Sequence, residues 1–387
     1  MGSRLRVHPT HAGGSVARAN SIVPSPRNRY LNRPPSREST RRTPPRESSS
    51  AATMMRSPTI PTGRTRFIPF AWGVFIYSML VILWGYFLRI SESGDGCGTD
   101  WPLCHGAMVP AGHTFPTWVE FVHRATSGVV LLLVIAMAIW AFRAFPRGHA
   151  VRLGAALALL FTITESLFGA VLVIFGWVAT DISTARILLR PFHVTNTFLL
   201  MGALALTPFW ATRRMSRAPR LRAASTRLLW PALIGSLALG WTGSWTGLAA
   251  TAFPAGSVAD GIGQYVTGEH LLIYLRIIHP VLAVAVVAIL IRWSRRIRSA
   301  HPSSQLIRGV ALGVAILAVV QLVLGPVTVL LLNPVGTRLL HLFLADLIWV
   351  GLLFGWAEAG WREAGAEAYS WTKEVSESRL RTKAASN

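Results

Sequence analysis

Long apolar runs alternate with short polar connectors along most of the chain, and the runs have the length of helices that cross a bilayer rather than of strands. Eight can be delimited, at about 67–88, 125–143, 153–177, 191–211, 228–250, 276–292, 309–332 and 339–356, each near or above the roughly 17 residues a spanning helix needs. The pattern predicts an all-α integral membrane protein with eight transmembrane helices. A hydrophobic content of 52% and a mean hydropathy of +0.44 exceed what one soluble core uses, which supports the same class.

Charge sets the orientation. One set of connectors is strongly basic, with Arg143, Arg147 and Arg152, then Arg213 to Arg227, then Arg292 to Arg308, while the alternate set carries most of the loop acids. Basic residues are retained on the cytoplasmic side of short loops, so both termini are expected in the cytoplasm. The formal net charge of +22 raises nucleic-acid binding as a function. Its spread over the inner connectors and the first 66 residues argues for the lipid bilayer as partner and for no nucleic acid. Residues 1–66, rich in Arg, Ser and Pro, read as a disordered cytoplasmic tail that also resembles an organellar transit peptide, although its prolines weaken the amphipathic helix such a signal needs.

The span region repeats itself. His279 follows His123 by 156 positions, Gln321 to Val329 aligns with Glu165 to Val173 at the same offset, and His341 follows His193 by 148. The expected architecture is therefore two tandem, pseudo-symmetric four-helix bundles: 67–211, a basic linker at 212–227, and 228–357, followed by a cytoplasmic tail at 358–387. All four histidines open even-numbered spans within about one turn, roughly 5 Å, of the outer boundary. A buried imidazole is costly unless paired or ligating, and two facing pairs are what two six-coordinate haem irons require. His8 and His11 lie in the tail, and His105, His113, His149, His270 and His301 in loops, where solvated or structural roles are expected.

Two further features bear on chemistry. The only cysteines, Cys97 and Cys104, flank Asp100-Trp101-Pro102-Leu103 in the first outer loop. They can close a disulfide, structural or redox-active, but position 101 is Trp, so the C-x-x-C-H pattern of covalent haem attachment is absent. Glu120 precedes His123 by three residues and shares its helix face; the equivalent position in the second copy is Arg276. A carboxylate at one haem only suggests that the first half does chemistry while the second holds a cofactor, with Arg276 near a propionate. Glu165 in mid-span is an expensive charge that must be paired or functional, and Asp346 receives no role.

Taken together, Gly85 to Gly94, the Cys97–Gly106 loop, Glu120-x-x-His123-Arg124, His193-x-x-Asn196, His279 and His341 resemble the haem A synthase family over about residues 67–357. The resemblance implies that His123 and His193, with Arg124, hold substrate haem O. It implies that His279 and His341, with Arg276, hold a haem B cofactor, and that Glu120 is a catalytic carboxylate. Cys97 and Cys104 would assist turnover or protect the site. The reaction would be stepwise oxidation of a porphyrin methyl group through a hydroxymethyl to a formyl group, giving haem A. Haem O synthase and terminal oxidase assembly factors would be partners, and the paired cysteines mark a bacterial branch and hence a bacterial plasma membrane. One departure is Gly85-Tyr86-Phe87-Leu88-Arg89, where the family pattern has smaller residues. From the residues alone, a di-haem electron carrier fits nearly as well, and a haem transporter less well.

Overall fold

The computed structural model describes residues 62–111, 114–179, 181–219, 229–268 and 270–385, with side chains from 64 to 365. Residues 1–61 of the predicted tail at 1–66, residues 220–227 of the basic linker and His113 lie outside the described residues. Ten helices follow one another there: α1 (Thr62–Ile90), α2 (Phe115–Ala144), α3 (Ala150–Ile174), α4 (Thr184–Thr212), α5 (Leu229–Ala252), α6 (Val258–Thr267), α7 (Leu271–Leu275), α8 (Ile278–Ala300), α9 (Gln305–Leu330) and α10 (Val335–Ala385). Among the described residues the only β pairing is an isolated bridge between Cys104 and Ala107.

Seven helical segments are long and apolar enough to cross a membrane: those of α1 to α4, α7 with α8, α9, and the first part of α10. α5 has the length, but Trp241 to Gly247 (Trp-Thr-Gly-Ser-Trp-Thr-Gly) makes seven of its 24 residues weakly polar. The protein is thus a multi-pass, all-α membrane protein. Some boundaries differ from the apolar runs. α2 begins at Phe115, ten residues before its apolar stretch, and α4 begins at Thr184 under an N-cap from Ser183. His123 and His193 consequently lie more than two turns inside their helices, whereas His279 is the second residue of α8. The expected tail after 357 continues α10 as helix.

α1 packs on α2 and α4, α2 on α3, and α3 on α4; in the second half α5 packs on α8 and α10, α8 on α9, and α9 on α10. α4 touches both α5 and α10 and joins the halves. It is the most enclosed span, 83% buried where α9 is 17% buried, so its residues are held from all sides. In lipid, helices associate by close packing and polar contacts rather than by hydrophobic exclusion. Gly202 accordingly lies against Leu353 and Trp349, and Phe209 stacks on Phe354 at 4.5 Å. At the basic end of the bundle, fully buried Glu358 of α10 accepts from Arg213 at 2.6 and 2.9 Å and from Arg362 at 2.9 Å.

Candidate functional site

The ends of α1 to α4 remote from the basic connectors enclose a cavity of about 590 Å³, a size suited to a large organic ligand. His123, Glu120 and Arg124 reach it from α2, Glu165 from α3, His193 and Arg190 from α4, and Tyr86 and Arg89 from α1. The predicted first pair of histidines is therefore brought to one chamber. His123 packs against α1 where Gly85 leaves room, since a Cβ there would stand 2.8 Å from its Cε1. Its Nδ1 is buried without a partner.

His193 is engaged. Its Nε2 lies 3.0 Å from Glu165 Oε1, and Arg89 Nη2 stands 3.2 Å from both ring nitrogens. Glu165 also accepts from Asn196 Nδ2 and Thr197 Oγ1, each at 2.6 Å, so the mid-span charge is fully paired. Phe168 stacks on the imidazole at 5.8 Å. The ring orientation of His193 is thus set by α1 and α3 as well as by its own helix.

Above the chamber sits the loop that joins α1 to α2. Cys97 and Cys104 form a disulfide, and both are buried. The backbone amide of Cys97 donates to Glu120 Oε2 at 2.7 Å, and Arg124 donates to Glu120 Oε1 at 2.5 and 3.1 Å. Arg124 Nη1 also donates to the carbonyls of Asp100 and Leu103. Glu120, 2% exposed, and its i,i+4 partner Arg124 therefore pin the disulfide loop to α2 through the Cys97 amide and the Asp100 and Leu103 carbonyls. Thr117 Oγ1 adds a bond to the Gly96 carbonyl at 2.7 Å, and His105 Nε2 one at 2.9 Å.

In the second half the rings of His279 and His341 face each other with centroids 6.3 Å apart. A metal between them would need about 2 Å to each nitrogen and about 1 Å more to each ring centre, close to 6 Å in all, so the pair fits a shared ion. His341 Nδ1 is buried without a partner, while His279 Nδ1 is 3.1 Å from Thr242 Oγ1. Gln321 donates to the His341 carbonyl at 2.7 Å. Among the described residues no three His, Cys, Asp or Glu converge as a metal cage. Arg276 Nη atoms donate to the carbonyls of Ala249 and Phe253 at the end of α5 and to Gln264. Its Nε has no partner.

Among the described residues, three further histidines stand at helix ends. His149 caps α3 by accepting from the amide of Val151, a role for a neutral ring that suits the lowering of its pKa by burial and by Arg64. His270 caps α7 in the same way, and His301 ends α8. Sequence reasoning gave no part to Arg190, to Asn196 and Thr197 as partners of Glu165, or to Tyr86, whose hydroxyl donates to buried Asp346 at 3.3 Å. One signal was available. Each of the four histidines is preceded three positions earlier by a charge, namely Glu120, Arg190, Arg276 and Arg338.

Comparison with known proteins adds three findings. The family described as cytochrome oxidase assembly protein matches residues 69–353. A Thermus thermophilus protein named protoheme IX farnesyltransferase is 41% identical over 304 residues, 78% of this chain and 50% of that protein. Proteins named heme A synthase are 45% identical over 103 residues in an Exiguobacterium species (27% of this chain, 34% of that protein) and 41% over 107 residues in Exiguobacterium sibiricum (28% and 35%). The chain thus spans about half the length of the Thermus relative and about a third of each heme A synthase.

Proposed function

This chain belongs to the cytochrome oxidase assembly protein family, and from that premise we propose that it is a haem A synthase of the bacterial plasma membrane. It oxidises the methyl group of haem O through a hydroxymethyl to a formyl group, yielding haem A for terminal oxidase assembly. The observation that carries this reading is the pair of bis-histidine sites in one chain, of which only the first adjoins a carboxylate three residues from its ligand and a disulfide loop.

In this reading the substrate haem is held in the α1 to α4 chamber by His123 and His193. Glu165 and Arg89 orient His193, which gives up Glu165 at Nε2 when that atom takes an iron. Arg124 and Glu120 fasten the Cys97–Cys104 loop over the chamber, shielding it from water and leaving the Glu120 carboxylate at its wall to hold or move a proton. His279 and His341 would hold haem B, which supplies electron transfer when bound. A pure electron carrier has no use for an acid at one haem alone, and the replacement of Glu120 by Arg276 in the second half favours the enzyme over that alternative.

The recurrence of packing, α1-α2-α3-α4 against α5-α8-α9-α10, supports a tandem duplication in which α5 is the eighth crossing. The basic connectors support cytoplasmic termini. The Thermus relative's name supports a working association with a haem O synthase, the class of enzyme that makes the substrate. The test is to express the chain in membranes supplied with haem O and to identify the extracted haems by chromatography and mass. Haem A or its hydroxymethyl precursor beside haem B is expected. Haem B with unchanged haem O would overturn the synthase reading in favour of the carrier.

A further inference from the structure

Three of the four charges that precede the histidines are tied down. Glu120 holds the disulfide loop, Arg276 the end of α5, and Arg338 the Gly247 carbonyl and Thr251 of α5 at 3.3 and 3.1 Å. Arg190, one turn before His193, is the exception. With the described residues it forms no hydrogen bond or ion pair, and its Nε is buried without a partner. It lines the first chamber, and its Nη2 approaches Gly247, where Arg338 also arrives from the second half. The other charges that bear on it, Arg89, Arg186 and Arg338, have the same sign. Arg186 is spent on the carbonyls of Val178, Ala179 and Asp181, and Arg89 lies against His193.

An unpaired guanidinium among cations within a membrane bundle is expensive and calls for an anion. The porphyrin proposed for this chamber carries two propionate carboxylates, and a planar guanidinium fork matches a carboxylate in geometry as well as charge. We propose that Arg190 binds a propionate of the haem held by His123 and His193, and so fixes the rotation of the porphyrin about the iron axis. The inference rests on the haem-site reading and adds to it which edge of the substrate points toward the seam between the halves. A carboxylate there faces Arg190 directly, and the methyl group to be oxidised is positioned by the same contact.

Ferric haem O and its dimethyl ester, titrated into the purified full-length chain carrying haem B, separate the possibilities. Uptake is read from the Soret difference spectrum. The wild type is expected to bind the acid about tenfold to a hundredfold more tightly than the ester, the range of one charge-assisted hydrogen-bonded pair. Arg190→Met should bring the acid down to the ester's affinity and leave the ester unchanged, with the haem B spectrum intact as the check on folding. Arg190→Lys, which keeps the charge and loses the fork, should fall between. Equal binding of acid and ester by the wild type, or equal weakening of both in Arg190→Met, overturns the inference and leaves the anion to an anionic lipid headgroup or the residue to packing. His123→Ala separates the two levels: uptake that survives it overturns the haem-site reading itself, and uptake lost in it but untouched in Arg190→Met overturns the inference alone.

Discussion

Adding one methyl group at a glycine that faces one of the four proposed haem-ligating histidines tests whether these rings are positioned for ligation. A Cβ on Gly85 would stand 2.8 Å from His123 Cε1, on Gly243 3.0 Å from His279 Cε1, and on Gly325 3.8 Å from His341 Cε1. Ordinary contact begins at 3.4 Å, so the first two rings must retreat by about 0.6 and about 0.4 Å and the third need not move. At the far end of an imidazole, about 0.6 Å is a rotation of roughly 10°, well within the ~30° departure that costs about 0.5–1.5 kcal/mol. The fold should therefore tolerate Gly85→Ala, with a loss of stability under about 1 kcal/mol. Ligation should not, because ligand distances are held to about 0.2 Å and a ~1 Å misplacement costs about a hundredfold in rate. Gly85→Ala is expected to lower haem O conversion about tenfold or more with haem B retained, Gly243→Ala to lower haem B content, and Gly325→Ala to lie within about twofold of wild type. Extracted-haem quantitation and thermal unfolding in detergent check all three. Full activity in Gly85→Ala, or equal damage in Gly325→Ala, would refute the positioning argument.

Three other perturbations have definite outcomes. Glu120→Gln keeps the size of the side chain but removes the charge that Arg124 and the Cys97 amide bind; haem B should remain and haem O oxidation should be lost, and unchanged product formation in membranes would sink the catalytic role. Replacing both Cys97 and Cys104 with Ala should leave haem B content intact and lower product yield, because the loop they close lies over the first chamber only; loss of all haem would assign the disulfide to the fold instead. Glu358→Gln should lower stability by about 1–3 kcal/mol without changing the haem spectra, since the partners Arg213 and Arg362 are partly exposed and can be solvated; a shifted Soret band would contradict that.

Much of the helix content was legible because apolar length is the strongest signal a membrane chain carries, and of the four recurring histidines the structure brings His123 and His193 to one chamber and sets His279 beside His341. The start of α2 was not. Phe115 to Arg124 mixes Phe, Trp and Val with Thr, Glu, His and Arg rather than running apolar, yet it is helical, and Glu120 there pairs with Arg124 one turn on and with the backbone of a loop 23 residues earlier. Hydropathy cannot register a charge that its neighbour neutralises. Glu165 could be recognised as costly, but its partners His193, Asn196 and Thr197 lie on the next helix, about 30 positions away, and only the packing of α3 on α4 joins them. α5 shows the opposite error of a simple scale: its Trp, Thr and Gly are weakly polar in composition, yet Trp241 and Trp245 donate to Thr195 and to the Ile187 carbonyl of α4 and fasten the two halves. The segment Gly85 to Arg89 was read as a departure from the family pattern with no task given to Gly85, whose place in the structure is to admit the His123 ring.

The haem inventory of two double variants grown with haem O reads out the proposed division of labour between the two histidine pairs. His123→Ala with His193→Ala should retain haem B and lose haem O and haem A, whereas His279→Ala with His341→Ala should lose haem B. Loss of haem B from the first variant, or haem O still bound and converted in it, would contradict the assignment.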